Sequence, residues 1–196
     1  MSAVLNVTSR EGNRKKFDGS ANVSLLSAQT TLEGPFYKGA WLLAARRTYI
    51  DKTLELANDL NLTDAKVPYY FYDIQGHIFS DLSNTDRLSL SFYGGLDDFN
   101  FDDLGFRANW GNQTFSLAYR KLFSDLLIGN FLLAASQFKT LFGLGGESGL
   151  VNDNNINDQT FAADFTFFQK KDLIWKFGFQ AKRLGFLYSL SLIHIS

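Results

Sequence analysis

Cysteine is absent from the chain, and histidine occurs only twice. The missing cysteine excludes a disulfide scaffold and any Cys-ligated metal, and it leaves the compartment open. Charge of one sign is also lacking. Nineteen basic and 20 acidic residues give a net charge of −1, so no basic field for nucleic acid exists. No run of about 18 apolar residues occurs, which excludes a transmembrane helix within the chain. No signal-peptide pattern opens it. At face value that means cytoplasm, but both ends read as cut. Proline is scarce, with 2 residues against 16 glycines.

Aromatic residues are abundant, at 16% with 20 Phe and 8 Tyr. Phe, Tyr and Trp fit pleated, half-buried surfaces, so the excess points to β-structure. The stretch "LIWKFGFQAK" alternates from residue 173 to 182. Leu173, Trp175, Phe177, Phe179 and Ala181 take one parity; Ile174, Lys176, Gly178, Gln180 and Lys182 take the other. Successive strand side chains point to opposite faces, so this is a strand with one greasy and one wet wall. The same pattern sets Phe161, Ala163, Phe165 and Phe167 against Asp164 and Thr166. It sets Tyr70, Tyr72, Ile74 and Ile78 against Asp73, Gln75 and His77. Leu88, Leu90 and Phe92 oppose Arg87, Ser89, Ser91 and Tyr93, and Phe115, Leu117 and Tyr119 oppose Thr114, Ser116 and Arg120. Ahead of that last pattern the phase slips near Gly111, which predicts a bulge.

The pattern predicts an all-β, antiparallel chain. A short strand is expected at Val4–Thr8, then nine strands at 17–25, 27–34, 40–50, 68–80, 86–96, 105–122, 126–138, 158–170 and 172–187. The first two would form a tight hairpin. Leu54, Ala57 and Leu60 have helical spacing within 51–66. "EGPFYKG", "LSNTD", "SDLL" and "QKKD" read as short turns, and 51–66, 97–104 and 139–157 as long polar loops. Soluble sandwiches use strands of ~5–6 residues and have no need to alternate loop lengths. A transmembrane barrel needs ~9–11 residues per strand, short periplasmic turns and long outer loops.

"LNVTSREGNRKKFDGSANVSLLSAQTTLEGPFYKGAWLLAARRTYID", "PYYFYDIQGHIFSDLSNTDRLSLSFYGG" and "WGNQTFSLAYRKLFSD", in that order, resemble TonB-dependent outer-membrane receptors, most of all those of Bacteroidota-type bacteria. The resemblance spans about Val4 to Leu187. It implies a localisation in the bacterial outer membrane and a role in active uptake of a scarce ligand: siderophore-bound iron, cobalamin, a glycan or a peptide. It implies that 1–14 is the end of a plug domain and its linker, and that 15–189 is the N-terminal part of the barrel. Its partners would be the lipid bilayer and lipopolysaccharide, the chain's own plug, and the TonB complex through a missing N-terminal region. Plugged outer-membrane transporters have 22 strands, so nine mark a fragment. "LSLIHIS", 190–196, resembles the translation of a sequencing adapter, which leaves His77 as the one meaningful histidine.

In that layout Phe161, Phe165, Phe167, Trp175, Phe177 and Phe179 face lipid. Asp73, Gln75, His77, Asp164, Lys176 and Gln180 face the lumen. Trp41, Tyr69, Tyr70, Tyr72 and Trp110 near strand ends read as an interfacial aromatic girdle. Arg46 and Arg47 read as solvated at a strand end.

No catalytic set converges in the sequence, no cofactor is called for, and the chain is not expected to be an enzyme. Asp97, Asp98, Asp102 and Asp103, and Asp153 with Asp158, lack EF-hand spacing, and solvated loops are their default. "GLGGESG" lacks the Lys-Ser/Thr of a phosphate loop. The alternatives are a small complete outer-membrane barrel acting as adhesin or structural protein, then a soluble β-sandwich binding module. An odd strand number counts against the first.

Overall fold

The computed structural model describes residues 10–63, 68–101, 105–145, 149–170 and 173–192. Nine strands pair in chain order into one antiparallel sheet. They are β1 (Asp18–Val23), β2 (Ser27–Phe36), β3 (Gly39–Thr48), β4 (Tyr69–Asp81), β5 (Asp86–Phe101), β6 (Phe106–Ser124), β7 (Leu127–Leu144), β8 (Leu150–Lys170) and β9 (Leu173–Leu192). The all-β, antiparallel class and all nine strands match the reading of the sequence. The sheet is open, with β1 and β9 as its edges. The short strand expected at Val4–Thr8 lies outside the described residues.

Three expectations need correction. Residues 97–101, 139–144 and 150–157, expected within long loops, are strand: β5 runs to Phe101, β7 to Leu144, and β8 begins at Leu150. Asp97 pairs with Trp110, and Asn152 to Asn157 pair with β7 on one side and β9 on the other. A ladder is made by backbone groups, so polar side chains do not end it. The bulge expected at Gly111 is absent, since pairing runs straight through Leu96, Gly111 and Lys139. The register shifts instead at Leu122/Ser124 and Phe168/Lys170, beside the connections that follow β6 and β8.

The helix expected in 51–66 is α1 (Ile50–Asp59). It fills the β3–β4 connection and leans on the β1–β2 turn. Thr53 donates to the Leu25 carbonyl at 2.9 Å, and the Tyr49 hydroxyl donates to that of Ser24. On its exposed side Lys52 meets Glu55 at 2.7 Å, which raises the ammonium's pKa above its ordinary value.

The β2–β3 turn is tighter than expected. Phe36 pairs with Gly39, leaving Tyr37 and Lys38 to reverse the chain. Tyr37 does so at φ 48°, and the residue is 80% exposed. Left-handed backbone strains an L-residue by ~1–2 kcal/mol, and an exposed ring regains little of that. Tyr37→Gly should therefore raise the unfolding free energy by about 1 kcal/mol. A urea titration that found no gain would show that this turn carries no strain.

Candidate functional site

Cross-strand partners share a face, so the register sorts the whole sheet in two. Phe161, Phe165, Phe167, Trp175, Phe177 and Phe179 all stand on one face, called the front here. Asp73, Gln75, His77, Asp164, Lys176 and Gln180 all stand on the back. The two sets come from three strands that were read separately, and pairing through β5, β6 and β7 brings them into agreement. The five aromatic residues read as one girdle do not stay together. Trp41, Tyr70 and Tyr72 are on the front, while Tyr69 and Trp110 are on the back.

The front face carries a band of apolar side chains. One row runs straight across seven strands as Trp41, Ile78, Leu90, Leu117, Leu133, Phe161 and Ala181. Rows on either side are apolar over only part of their length. Toward α1, the row Arg47, Tyr72, Leu96, Gly111, Lys139, Asn155 is apolar on β4 and β5 and polar beyond. Away from α1, the row Asp86, Lys121, Gly129, Phe165, Phe177 is charged on β5 and β6 and aromatic on β8 and β9. The band is thus diagonal to the rows. It covers Tyr70 to Ile78 on β4 and Leu173 to Ala181 on β9, where Ala181 shares the row of Ile78. Its upper edge moves from Tyr70 to the row of Ile78, eight positions along β4, in the five steps from β4 to β9. That is about 1.6 residues per strand. With ~3.3 Å per residue and ~4.8 Å between strands, the band's edge runs at roughly 45° to the strands.

The band is open to its surroundings. Trp175, Phe177 and Phe179 are 55–58% exposed, and Phe115 and Leu133 are about half exposed. Neighbouring rings meet within it: Phe165 stacks on Phe177 at 5.4 Å and meets Phe131 edge-on at 5.6 Å.

Above the band, toward α1, polarity changes faces. The front there carries Gln113, Gln137, Asn157 and Asn155, while the back carries Phe99, Phe101, Phe106, Trp110, Phe138 and Phe142. Phe99 packs against Phe101 at 4.6 Å and Phe106 at 5.8 Å. The sequence does not announce this aromatic strip, because Phe99, Phe101 and Phe142 stand in polar segments whose composition reads as loop. The apparent phase slip at Gly111 was its signal: the pattern reverses parity there because the apolar side of the sheet switches.

Level with the band, the back face is small and polar. His77 Nδ1 lies 2.8 Å from Ser91 Oγ, its one hydrogen bond among the described residues. The carboxylate on the same strand face, Asp73, is taken by Arg46, whose Nε and an Nη donate to Oδ2 at 2.8 and 2.6 Å. So Ser91 and His77 are adjacent without an orienting acid. Among the described residues no cluster of three or more His, Asp or Glu is placed to hold a metal ion.

Residues 10–14 lie across this face as a strap. Arg10 pairs with Glu33 at 2.9 Å, Glu11 with Arg87 at 2.8 Å, and Arg14 with Asp81 at 2.7 Å. Arg87 also reaches Asp81 at 2.6 Å. Beneath them Phe79 is 2% exposed, with the guanidiniums of Arg14 and Arg87 at 4.6 and 4.8 Å from its ring centroid. Beside the strap, Arg10, Gln75, His77, Ser91 and Ser116 help line an open cavity of about 650 Å³.

No protein-family model matches the chain, and neither does any curated protein or solved structure. No helix among the described residues is long and apolar enough to cross a membrane, which says nothing of crossing by strands.

Proposed function

We propose that this sheet is part of the wall of an outer-membrane transport barrel, of the TonB-dependent class that its sequence resembles. The diagonal apolar band carries the membrane part of this reading. Strands of a membrane barrel tilt by ~35–45° from the membrane normal, so a flat lipid slab cuts obliquely across their hydrogen-bonded rows. That tilt requires about 1.0–1.5 residues per strand, close to the slope of about 1.6 that the band follows. On each of β4 and β9 the band covers the ~9–11 residues that a tilted strand needs to cross. Strands extending past the band would stand in water on the outer side, their amides on the front and their aromatic strip facing the mouth of the barrel. The serine-rich, strap-covered back face suits a lumen partly filled by protein. The transport part rests on the resemblance, and the substrate stays at the class level: siderophore-iron, cobalamin, glycan or peptide. In this role the chain supplies wall and strap rather than a reaction centre.

Single cysteines with fluorescent labels test the membrane part. Labels at 175, 177 and 179, in a chain refolded into phosphatidylcholine vesicles, should be quenched by acyl-chain nitroxides. Labels at 176, 178 and 180 should not be. The expected parity also tracks the slope: on β5, positions 88 to 96 of even number should be quenched. Equal quenching on both parities, or quenching confined to straight rows, would overturn the reading.

A further inference from the structure

We propose that the strap is a strain-relief clamp: it spreads tension arriving from the N-terminal side over four strands before that tension reaches β1. This rests on the transport reading above, in which an energy-coupling partner acts through the segment ahead of residue 10.

β1 is a poor place to receive a pull. It is the shortest strand, with 6 residues against 10–21 in the others, and all of its residues are exposed. The strap stands between it and the N-terminal segment. Within residues 10–14 the chain touches four other strands. Arg10 holds Glu33 on β2, Glu11 holds Arg87 on β5, and Arg14 holds Asp81 on β4. Gly12 lies against β3 at φ 89°, where a Cβ would come 2.6 Å from the Trp41 carbonyl oxygen. Glycine alone combines that left-handed backbone with so close an approach.

The contacts reinforce one another. Arg87 meets both Glu11 and Asp81, and Arg14 meets Asp81 and, at 3.8 Å, Glu11. Both guanidiniums lie over the buried Phe79 ring. One half-exposed ion pair holds little, whereas charges shared in a network hold together. A cation over an aromatic face gains further where water is excluded. Past the clamp the chain changes direction. Asn13 Oδ1 accepts from the amides of Lys15 and Lys16 at 2.9 and 3.2 Å, a side-chain-capped turn between the strap and β1. Pull on residue 10 therefore runs into β4 and β5, strands of 13 and 16 residues paired on both sides. β1 is loaded only when those ties have parted.

The test pulls the full chain by a tag on residue 1, with an atomic force microscope, from phosphatidylcholine bilayers. An acyl-chain quencher acting on a label at 177 reports insertion. Parent traces should open with a force peak that precedes the release of β1, which itself adds about 30 Å, the extended length of residues 18–26. The double variant Glu11→Gln/Arg14→Gln removes the strap's charges and leaves the sheet's own Asp81–Arg87 pair in place. In it the first peak should be lost, and β1 should peel at first loading. Lys15→Gln, beside the clamp but outside its ion pairs, should keep the peak. Quenching at 177 with no peak ahead of β1, a peak that survives the double variant, or a peak lost in Lys15→Gln as well overturns this proposal and leaves the membrane reading standing. Absence of quenching at 177 overturns both.

Discussion

Phe165→Arg should lower the unfolding free energy by about 2–4 kcal/mol in lipid vesicles, the penalty for an Arg or Lys on the lipid face near the midplane. Phe165 sits well inside the band on β8, which runs from Phe161 to Phe167, and it contacts Phe131 and Phe177. The substitution removes those ring contacts and, in the proposed membrane wall, places a guanidinium in hydrocarbon. A control on the neighbouring parity separates charge in lipid from general disruption. Thr166→Arg puts the same side chain on the back face between Ile128 and Lys176, where its cost is a like charge across the strand, no more than about 1 kcal/mol. The measurement is urea unfolding of each variant from the same vesicles. Equal losses for the two would mean that the front face does not meet hydrocarbon.

A change at Gly39 is expected to be still more damaging, for a reason independent of lipid. Gly39 begins β3 and pairs with Phe36 on one side and Ser80 on the other. A Cβ at this position would fall 1.8 Å from the Phe79 carbonyl oxygen and 2.7 Å from its carbon. Both are backbone atoms, held on either side by ladders, so no flexible side chain can swing away. Gly39→Val should therefore exceed the ~1–3 kcal/mol of ordinary overpacking, opening the β3–β4 ladder or preventing refolding. Gly143→Ala is the matched control, since its Cβ meets nothing closer than 3.7 Å. A Gly39→Val chain as stable as the control would mean that the β3–β4 approach is looser than described.

Much of the fold was legible because period-two alternation survives wherever one face is apolar and the other polar. "LIWKFGFQAK" gave away β9 and its faces, and the same pattern gave β4 and β8. Pattern reading failed where polarity stopped marking the faces. Asn152 to Asn157 look like a loop by composition, yet they are mid-strand with partners on both sides. Trp110 and Gln113 looked out of phase because the apolar side changes between them, while the pairing does not shift. The diagonal of the band could not be read from one strand at all. It exists only in the register between strands, which local alternation does not encode. The strap was equally hidden, since Glu11 and Arg87 carry no mark that would pair them across 76 positions of chain.

That strap has a consequence for the order of events as the chain assembles. The nine described strands each pair with their neighbours in sequence, so β-hairpins can form one after another as local units. The bonds of Arg14 to Asp81 and of Glu11 to Arg87 close loops spanning 67 and 76 residues. Loops of that length close late, because the entropy of closure is repaid only once the distant partners are already fixed. Asp81 and Arg87 are fixed only when β4 and β5 have turned back on each other, where they form a cross-strand pair. The buried Phe79 between the two guanidiniums then becomes a clasp that shuts last, and its closure dates the completion of the first five strands.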